Sequence, residues 1–504
     1  MSEHSAQDAA IKAHRMGIDT YQEPVVFMRA DCHVCRSEGF QVQARVKVSA
    51  GQRSLIATLN VVIDDLLAID QAGLSEIAWR GLAVEEGTEL AFAHPEPLRS
   101  FSNVRRKIYG AELEATEYLD IVRDIVAGRY SPIELAAFLT TCAGARMSLQ
   151  EAVSLTRAMV DTGSTLKWPA DVVVDKHCIG GLPGNRTTPI VVAIVAAAGL
   201  TMPKTSSRAI TSPAGTADVM ETLTPVALDL AAMRRVVERE GGCIVWGGAM
   251  DLSPADDILI RVERPLDFDS DGQLVASVLS KKIAAGSTHV VIDVPVGATA
   301  KVRTPEAARG LINKLIVAGS AMGLDVRAVQ TQGTEPVGVG IGPALEAKDV
   351  VAVLNGDKAA PRDLRDRALR LAAETLSLGR NAYGTGLAEA ARILDSGEAW
   401  RKFQAICEAQ GGHRTPPVAP FTRDFIAPAE GRIAAIDNRK LARVAKLAGA
   451  PVSLAAGLEI RARTGEVVAK GQPLFTLHAQ TPGEMAYAAE YAEGQGAPFQ
   501  LEPL

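Results

Sequence analysis

The chain has 504 residues, 47% of them hydrophobic and 22% charged, with a formal net charge of −6. That length exceeds what one hydrophobic core organises and predicts several domains, and the composition excludes a disordered chain. The acidic balance excludes the broad basic footprint of a nucleic-acid binder, so an anionic substrate would have to be captured by local positive charge. In chain order, Val25–Met28, Gln41–Val48 and Ser54–Val62 read as β-like runs, with a turn at Ser49–Gly51 and a helix near Ser75–Leu82. They predict a small β-rich domain over residues 1–95, closed by the Pro95-Glu96-Pro97 linker. From Phe101 the apolar spacing becomes helical, over Ala115–Ala127, Pro132–Ala143 and Leu149–Thr162, with Ser131-Pro132 and Ser148 as start signals.

Val172-Val173-Val174 then reads as a strand leading into Asp175-Lys176-His177-Cys178, and Ile190–Leu200 as a buried helix. Strand and helix alternate to about Asp251, with a buried strand at Cys243–Trp246, so a parallel sheet is expected. Pro254–Ala285 returns to helix, Val290–Val294 is a strand, and Ala307–Met322, Ala347–Leu354 and Ala368–Leu378 are helices. After Pro416-Pro417, short β-like runs between Ile426 and Pro473 predict a small α+β domain over residues 416–504.

Between the first strand and helix of the α/β segment lies the loop Gly180-Gly181-Leu182-Pro183-Gly184-Asn185, followed by Arg186-Thr187-Thr188-Pro189. Such a loop exposes backbone N–H groups near a helix N-terminus, where unsatisfied donors and the helix dipole favour an anion. Lys176 adds a cation, and Thr187 and Thr188 add hydroxyls. A second hydroxyl-rich cluster, Thr205-Ser206-Ser207-Arg208 and Thr211-Ser212-Pro213-Ala214-Gly215-Thr216, follows one crossover later. Together they predict a phosphate site needing no metal. Neither the P-loop pattern nor the dinucleotide fingerprint is present. The longest apolar run, Ile190–Leu200, is about half the length of a membrane-spanning helix. The N-terminal stretch has no apolar segment of a secretory signal, and thinly scattered cysteines suit a reducing cytoplasm. Cys32-His33-Val34-Cys35 has redox or half-zinc spacing, but with no second pair nearby it is read as structural.

The segments VDKHCIGG, PKTSSRAITSPAGTADVMETL and GQLVASVLSKK resemble the thymidine/pyrimidine-nucleoside phosphorylase family, in the long form that includes AMP phosphorylases. The resemblance spans nearly the whole chain. It implies a multidomain α/β fold: a helical lobe (residues 96–167 and 254–285), a mixed, mainly parallel α/β lobe (168–253 and 286–415), and the two terminal domains. The implied reaction is phosphorolysis of thymidine to thymine and 2-deoxyribose 1-phosphate, or the equivalent reaction of AMP or another nucleoside monophosphate, giving ribose 1,5-bisphosphate from AMP. No cofactor is implied, since inorganic phosphate is a substrate. The expected partners are the nucleoside or nucleotide and phosphate, not nucleic acid or membrane, and a homodimer or higher homo-oligomer is expected.

By the same resemblance, Lys176, Cys178, Thr188, Ser206 and Thr216 would hold phosphate. The family often has serine where Cys178 stands, and a thiol is the weaker donor. The loop from Gly181 to Thr188 is longer than in short-form relatives, which loosens the match at Thr188. In the long form Gly181, the stretch Ser207, Arg208, Ala209, Ile210, Thr211, Ser212, and Thr216 would hold a nucleotide. His177 would contact the base, Asp269 matches the proton donor, and Arg264 matches a base-contacting arginine if a gap is allowed. Ser277 and Lys281 match a base-binding pair, and their spacing puts both on one side of a helix. Lys282 beside them reads as a solvated charge. Lys301 matches a further substrate lysine, and Arg208 and Lys301 are candidates for a 5′-phosphate. Two other classes compete: a phosphoribosyltransferase of the anthranilate type, which would need acidic metal ligands such as Asp218 and Glu221, and a non-catalytic assembly protein.

Overall fold

The computed structural model describes residues 10–144, 146–209, 212–250, 252–266, 270–381, 384, 386–494 and 497–504. The chain forms two compact units, Met1–Cys142 and Ala143–Leu504. In the first, β1 (Ile11–Arg15), β2 (Val25–Arg29), β3 (Arg45–Ala50), β4 (Arg53–Val62), β5 (Gln71–Leu74) and β6 (Glu89–Ala93) close into a barrel in the order β1-β5-β2-β4-β3-β6. Closure leaves no strand edge unpaired. Along β3 the alternation is regular: Val46 and Val48 are buried while Lys47 points outward. β5 was not anticipated, for a local reason. It is short, lacks β-branched residues, and carries Gly73, where a Cβ would come within 2.5 Å of Met16 Sδ.

Helix α1 (His33–Glu38) follows β2, and α2 (Glu76–Leu82) follows Ser75, whose hydroxyl caps it by accepting from Ala78 N. Cys32 and Cys35 are buried in the barrel core, and Cys32 Sγ accepts from Cys35 N at 3.2 Å. Helices α3 (Phe101–Ile108), α4 (Ala115–Val126) and α5 (Pro132–Cys142) complete the unit. Tyr118 and Phe138 join α4 to α5 edge to face, with ring centroids 6.4 Å apart.

The second unit begins with α6 (Leu149–Asp161), started by a Ser148–Glu151 capping box. Its parallel core comprises β7 (Val174–Cys178), β8 (Met202–Ser206), β9 (Gly242–Trp246), β10 (His289–Val296) and β11 (Asp325–Gln332), paired β11-β10-β7 and β8-β9. Helix α7 (Thr188–Ala197) is apolar on every side because it runs through the core: Ile190, Val191, Val192, Ile194 and Val195 are fully buried. Around these strands lie α8 (Thr216–Glu221), α9 (Leu230–Glu240), α10 (Pro254–Leu266), α11 (Asp271–Ala284), α12 (Pro305–Ala321), α13 (Pro343–Leu354), α14 (Arg362–Gly379), α15 (Gly386–Asp395) and α16 (Glu398–Gln410). A two-residue strand, β12 (Gly340–Ile341), precedes α13.

The C-terminal region is a small α+β domain. It contains β13 (Phe421–Ile426), β14 (Gly431–Ile436), α17 (Asn438–Leu447), β15 (Gly457–Ile460), β16 (Val467–Val468), β17 (Pro473–Ala479), α18 (Pro482–Glu493) and β18 (Phe499–Glu502). One of its sheets takes in β12 from the preceding α/β segment, which pairs antiparallel with β15. The chain is therefore a multidomain α/β protein with helical, mainly parallel α/β, β-rich N-terminal and small C-terminal parts. Among the described residues no helix is long and apolar enough to cross a membrane.

Candidate active site

Strand alternation divides the Asp175-Lys176-His177-Cys178 run between two faces of β7. On one face, buried Asp175 bridges two buried lysines, with Oδ2 2.7 Å from Lys282 Nζ and Oδ1 3.2 Å from Lys204 Nζ. Lys282 is therefore not the solvated charge expected from its position. It is 3% exposed and paired to a carboxylate 107 residues away. Burial pulls Lys282 down to about 7, so as pH falls below that value two ammonium groups share one carboxylate and leave excess positive charge beside His177. Burial, then repulsion from Lys282, Lys204, Lys281 and Lys176, pushes the His177 imidazole well below its usual pKa. His177 is thus neutral at pH 7, a hydrogen-bonding group and not a stored proton.

This has a measurable consequence. The unfolded chain protonates His177 as pH falls through 6.5, while the folded chain does not. Stability should therefore fall below that pH, by at most about 1.4 kcal/mol per unit. Thermal unfolding followed from pH 7 to pH 5 should show this decline, and it should be shallower in His177→Gln.

On the other face Lys176 is fully buried. Its Nζ donates to Thr187 Oγ1 at 2.7 Å and lies 3.5 Å from Thr188 Oγ1. Among the described residues no carboxylate forms an ion pair with it, and burial lowers its pKa. Cys178 shares this face. Its sulfur accepts from Asn185 Nδ2 at 3.3 Å, and burial beside Asp293 pushes the thiol up to about 12. Asp293, fully buried on β10, accepts from Asn185 Nδ2 at 3.0 Å and Thr331 Oγ1 at 2.6 Å, which anchors the glycine-rich loop from below.

Close approach explains two of the loop glycines. Gly181 has φ +79, and a Cβ there would lie 2.4 Å from Lys301 N; Gly184 has φ +70, and its Cβ would lie 2.2 Å from Val337 O. Arg186 then ties this loop to the second one. Its guanidinium pairs with buried Glu346 at 2.7 Å and donates to Thr216 Oγ1 at 2.7 Å and Ala214 O at 2.8 Å. The second loop is folded around Asp218, whose Oδ2 accepts from Ala209 N at 2.7 Å and Gly215 N at 2.8 Å. Gly215 packs 2.7 Å (measured from its would-be Cβ) from Ser207 O, and Ser206 Oγ lies 3.5 Å from Val245 O. Ser212 Oγ donates to Ala214 O at 3.0 Å.

Arg208 belongs to this second loop, but its charge is already balanced. It pairs with Asp218 at 3.2 Å and with Glu221, and its guanidinium carbon lies 4.9 Å from the Trp246 ring centroid. On α11, Ser277 and Lys281 are both partly exposed, and Lys281 pairs with buried Asp256 at the start of α10. Asp269, Ile210 and Thr211 lie outside the described residues, and only the backbone of Arg264 is described, in α10. The structure thus brings Lys176, Cys178 and Thr188 together, and joins Thr216 to their loop through Arg186. Sequence reasoning missed Asp175, Asn185, Arg186, Asp293 and Glu346 as members of this network. The signal available was an Asp and a Lys placed inside a β-branched run.

Models of known families match consecutive parts of the chain. The helical bundle domain of a glycosyl transferase family covers residues 103–163, its a/b domain residues 170–400, and the pyrimidine nucleoside phosphorylase C-terminal domain residues 432–495. Among solved structures, anthranilate phosphoribosyltransferase from Saccharomyces cerevisiae is similar in fold, with a TM-score of 0.51 at 14% identity over 62% of this chain and 97% of that one. The enzyme of the same name from Thermus thermophilus gives 0.50 at 21% identity, over 61% and 98%. The family models define the class, a glycosyl transferase.

Sequence relatives narrow it. The chain is 61% identical to "Putative thymidine phosphorylase 1" of Acidovorax sp. (strain JS42), over 99% of this chain and 98% of the relative. It is 57% identical to "Putative thymidine phosphorylase" of Maricaulis maris (strain MCS10), over 98% and 95%. The chain belongs to the thymidine/pyrimidine nucleoside phosphorylase family, as an enzyme of the thymidine phosphorylase type.

Proposed function

We propose that the protein cleaves the N-glycosidic bond of thymidine with inorganic phosphate, giving thymine and 2-deoxyribose 1-phosphate. The observation that carries this reading is the buried Lys176 ammonium, set between two threonine hydroxyls with no ion-paired carboxylate among the described residues. An ammonium buried without an ion-paired carboxylate is costly, and the field of Asp293 offsets only part of that cost. A bound phosphate would offset that cost and be oriented by it. Thr188, Ser206 and Thr216 would complete the shell, with Cys178 contributing through its backbone because its thiol side is engaged by Asn185 and Asp293.

In the reaction a phosphate oxygen forms the bond to C1′ as the C1′–N bond breaks, and the electron pair passes to the base. Charge develops on the base, where neutral His177 would donate a hydrogen bond, with Ser277 and Lys281 facing it from α11. Asp269 is our candidate for the proton that the departing base takes up, and Arg264 for a further base contact. The loop geometry predicts that Gly181→Ala strains the turn and displaces Lys301. At about 1–3 kcal/mol, kcat/KM should fall roughly 5- to 150-fold, readable in a steady-state assay.

A nucleoside is favoured over a nucleoside 5′-monophosphate because Arg208 is already balanced by Asp218 and Glu221. The same pairing leaves neither carboxylate spare for the metal–pyrophosphate chemistry of a phosphoribosyltransferase. Comparing kcat/KM for thymidine and AMP at saturating phosphate tests the preference. A higher value for thymidine supports the proposal. A higher value for AMP, with ribose 1,5-bisphosphate as product, would replace it and make Lys301 the first candidate for the 5′-phosphate contact.

A further inference from the structure

Besides the β12–β15 pairing and the hydrogen bonds of Arg463 to Pro336 O and Gly338 O, the C-terminal domain meets the α/β core through a buried side chain on α17. Asn438, the first residue of α17, is 1% exposed. Its Nδ2 donates to Thr299 Oγ1 at 2.9 Å and Gly333 O at 3.1 Å, and its backbone N donates to the same Thr299 oxygen at 3.2 Å. The amide orientation is fixed, because a carbonyl oxygen such as that of Gly333 can only accept. Both targets lie just beyond the carboxyl ends of β10 and β11, where ligands bind in open parallel sheets.

The Thr299 loop is itself tight. Gly297 N donates to Val302 O at 3.1 Å, and Val296 and Val302 form a parallel bridge. A Cβ on Gly297 would lie 2.2 Å from Gly333 O, so the two loops that Asn438 joins are already in backbone contact. Two residues after Thr299 comes Lys301, whose backbone packs against Gly181 of the phosphate loop. A continuous chain of contacts therefore runs from α17 through Asn438, Thr299 and Lys301 to Gly181.

We propose that Asn438 is a positioning residue through which the C-terminal domain holds the Lys301 loop in its substrate-binding register. The inference rests on the functional reading above and takes Lys301 as a substrate lysine within it. The test uses the full chain with Asn438→Ala and, from the opposite side of the contact, Thr299→Val. Loss of a buried hydrogen-bond clamp of this kind should raise the nucleoside KM about tenfold with a smaller change in kcat. Combined with Lys301→Ala, neither variant should add its full effect, because both act through that lysine.

Hydrogen exchange supplies a readout that needs no turnover: amides of Gly297, Ala300 and Gly333 should exchange faster in both variants, while those inside α17 stay protected. Unchanged exchange at these amides would overturn the inference. So would fully additive effects with Lys301→Ala, which mark a general structural role. If the wild type releases no base from any nucleoside, the functional reading fails on its own terms, and the exchange result still decides whether Asn438 clamps the loop.

Discussion

Replacing Lys176 with methionine is expected to lower kcat/KM for inorganic phosphate about a thousandfold, as removal of a preorganised charged donor from a dry site does. The same change should leave the unfolding temperature of the phosphate-free protein unchanged or raised. The opposite signs follow from one fact. Lys176 is buried without an ion-paired carboxylate among the described residues, so the fold bears its desolvation until phosphate arrives. The pH dependence has a definite sign. The folded pKa lies below 10.5, so as pH rises between the two values the unfolded chain keeps a proton that the folded chain has lost. Stability therefore rises with pH through that window. The methionine variant should lose that rise, and phosphate should no longer raise its melting temperature. Steady-state kinetics with phosphate varied, together with thermal unfolding, check both halves.

Arg186→Met should be costly for the opposite reason. It leaves Glu346, 1% exposed and raised in pKa by burial, without its cation. Breaking a buried pair from one side costs about 3–5 kcal/mol, which would appear as a clear drop in melting temperature. The double variant Arg186→Met/Glu346→Gln removes the uncompensated charge and keeps an acceptor for Gly342 N, which donates to Glu346 Oε1 at 3.1 Å. Most of the stability should return, but activity should not. Thr216 and Ala214 would still lack the guanidinium that joins their loop to the glycine-rich loop. Recovery of both together would mean that Arg186 serves the fold alone.

What could be read from the sequence was local. The β-branched run before Asp175, the glycines at positive φ, and the hydroxyls at the start of α7 announce themselves within a dozen residues. So do α4, α5 and α6, the last two with their own start signals. The supporting network is not local. Arg186 and Glu346 are 160 residues apart, and Asp175 and Lys282 are 107 apart. Helical spacing placed Lys281 and Lys282 on different sides correctly. It could not tell which side met solvent, because that depends on a carboxylate in a distant strand. β8 was missed since Lys204 and Thr205 are polar yet buried, Lys204 being held by Asp175 and by the Thr205 carbonyl. The two-residue strand β12 leaves no periodicity at all, and its existence depends on β15, more than a hundred residues later.

The most direct test of the account is base release from thymidine with and without inorganic phosphate, with the sugar product identified. The account predicts thymine release only when phosphate is present, with 2-deoxyribose 1-phosphate formed in equal amount and both lost in the Lys176→Met variant. Release that proceeds equally without phosphate, or a Lys176→Met variant as active as the wild type, would contradict it.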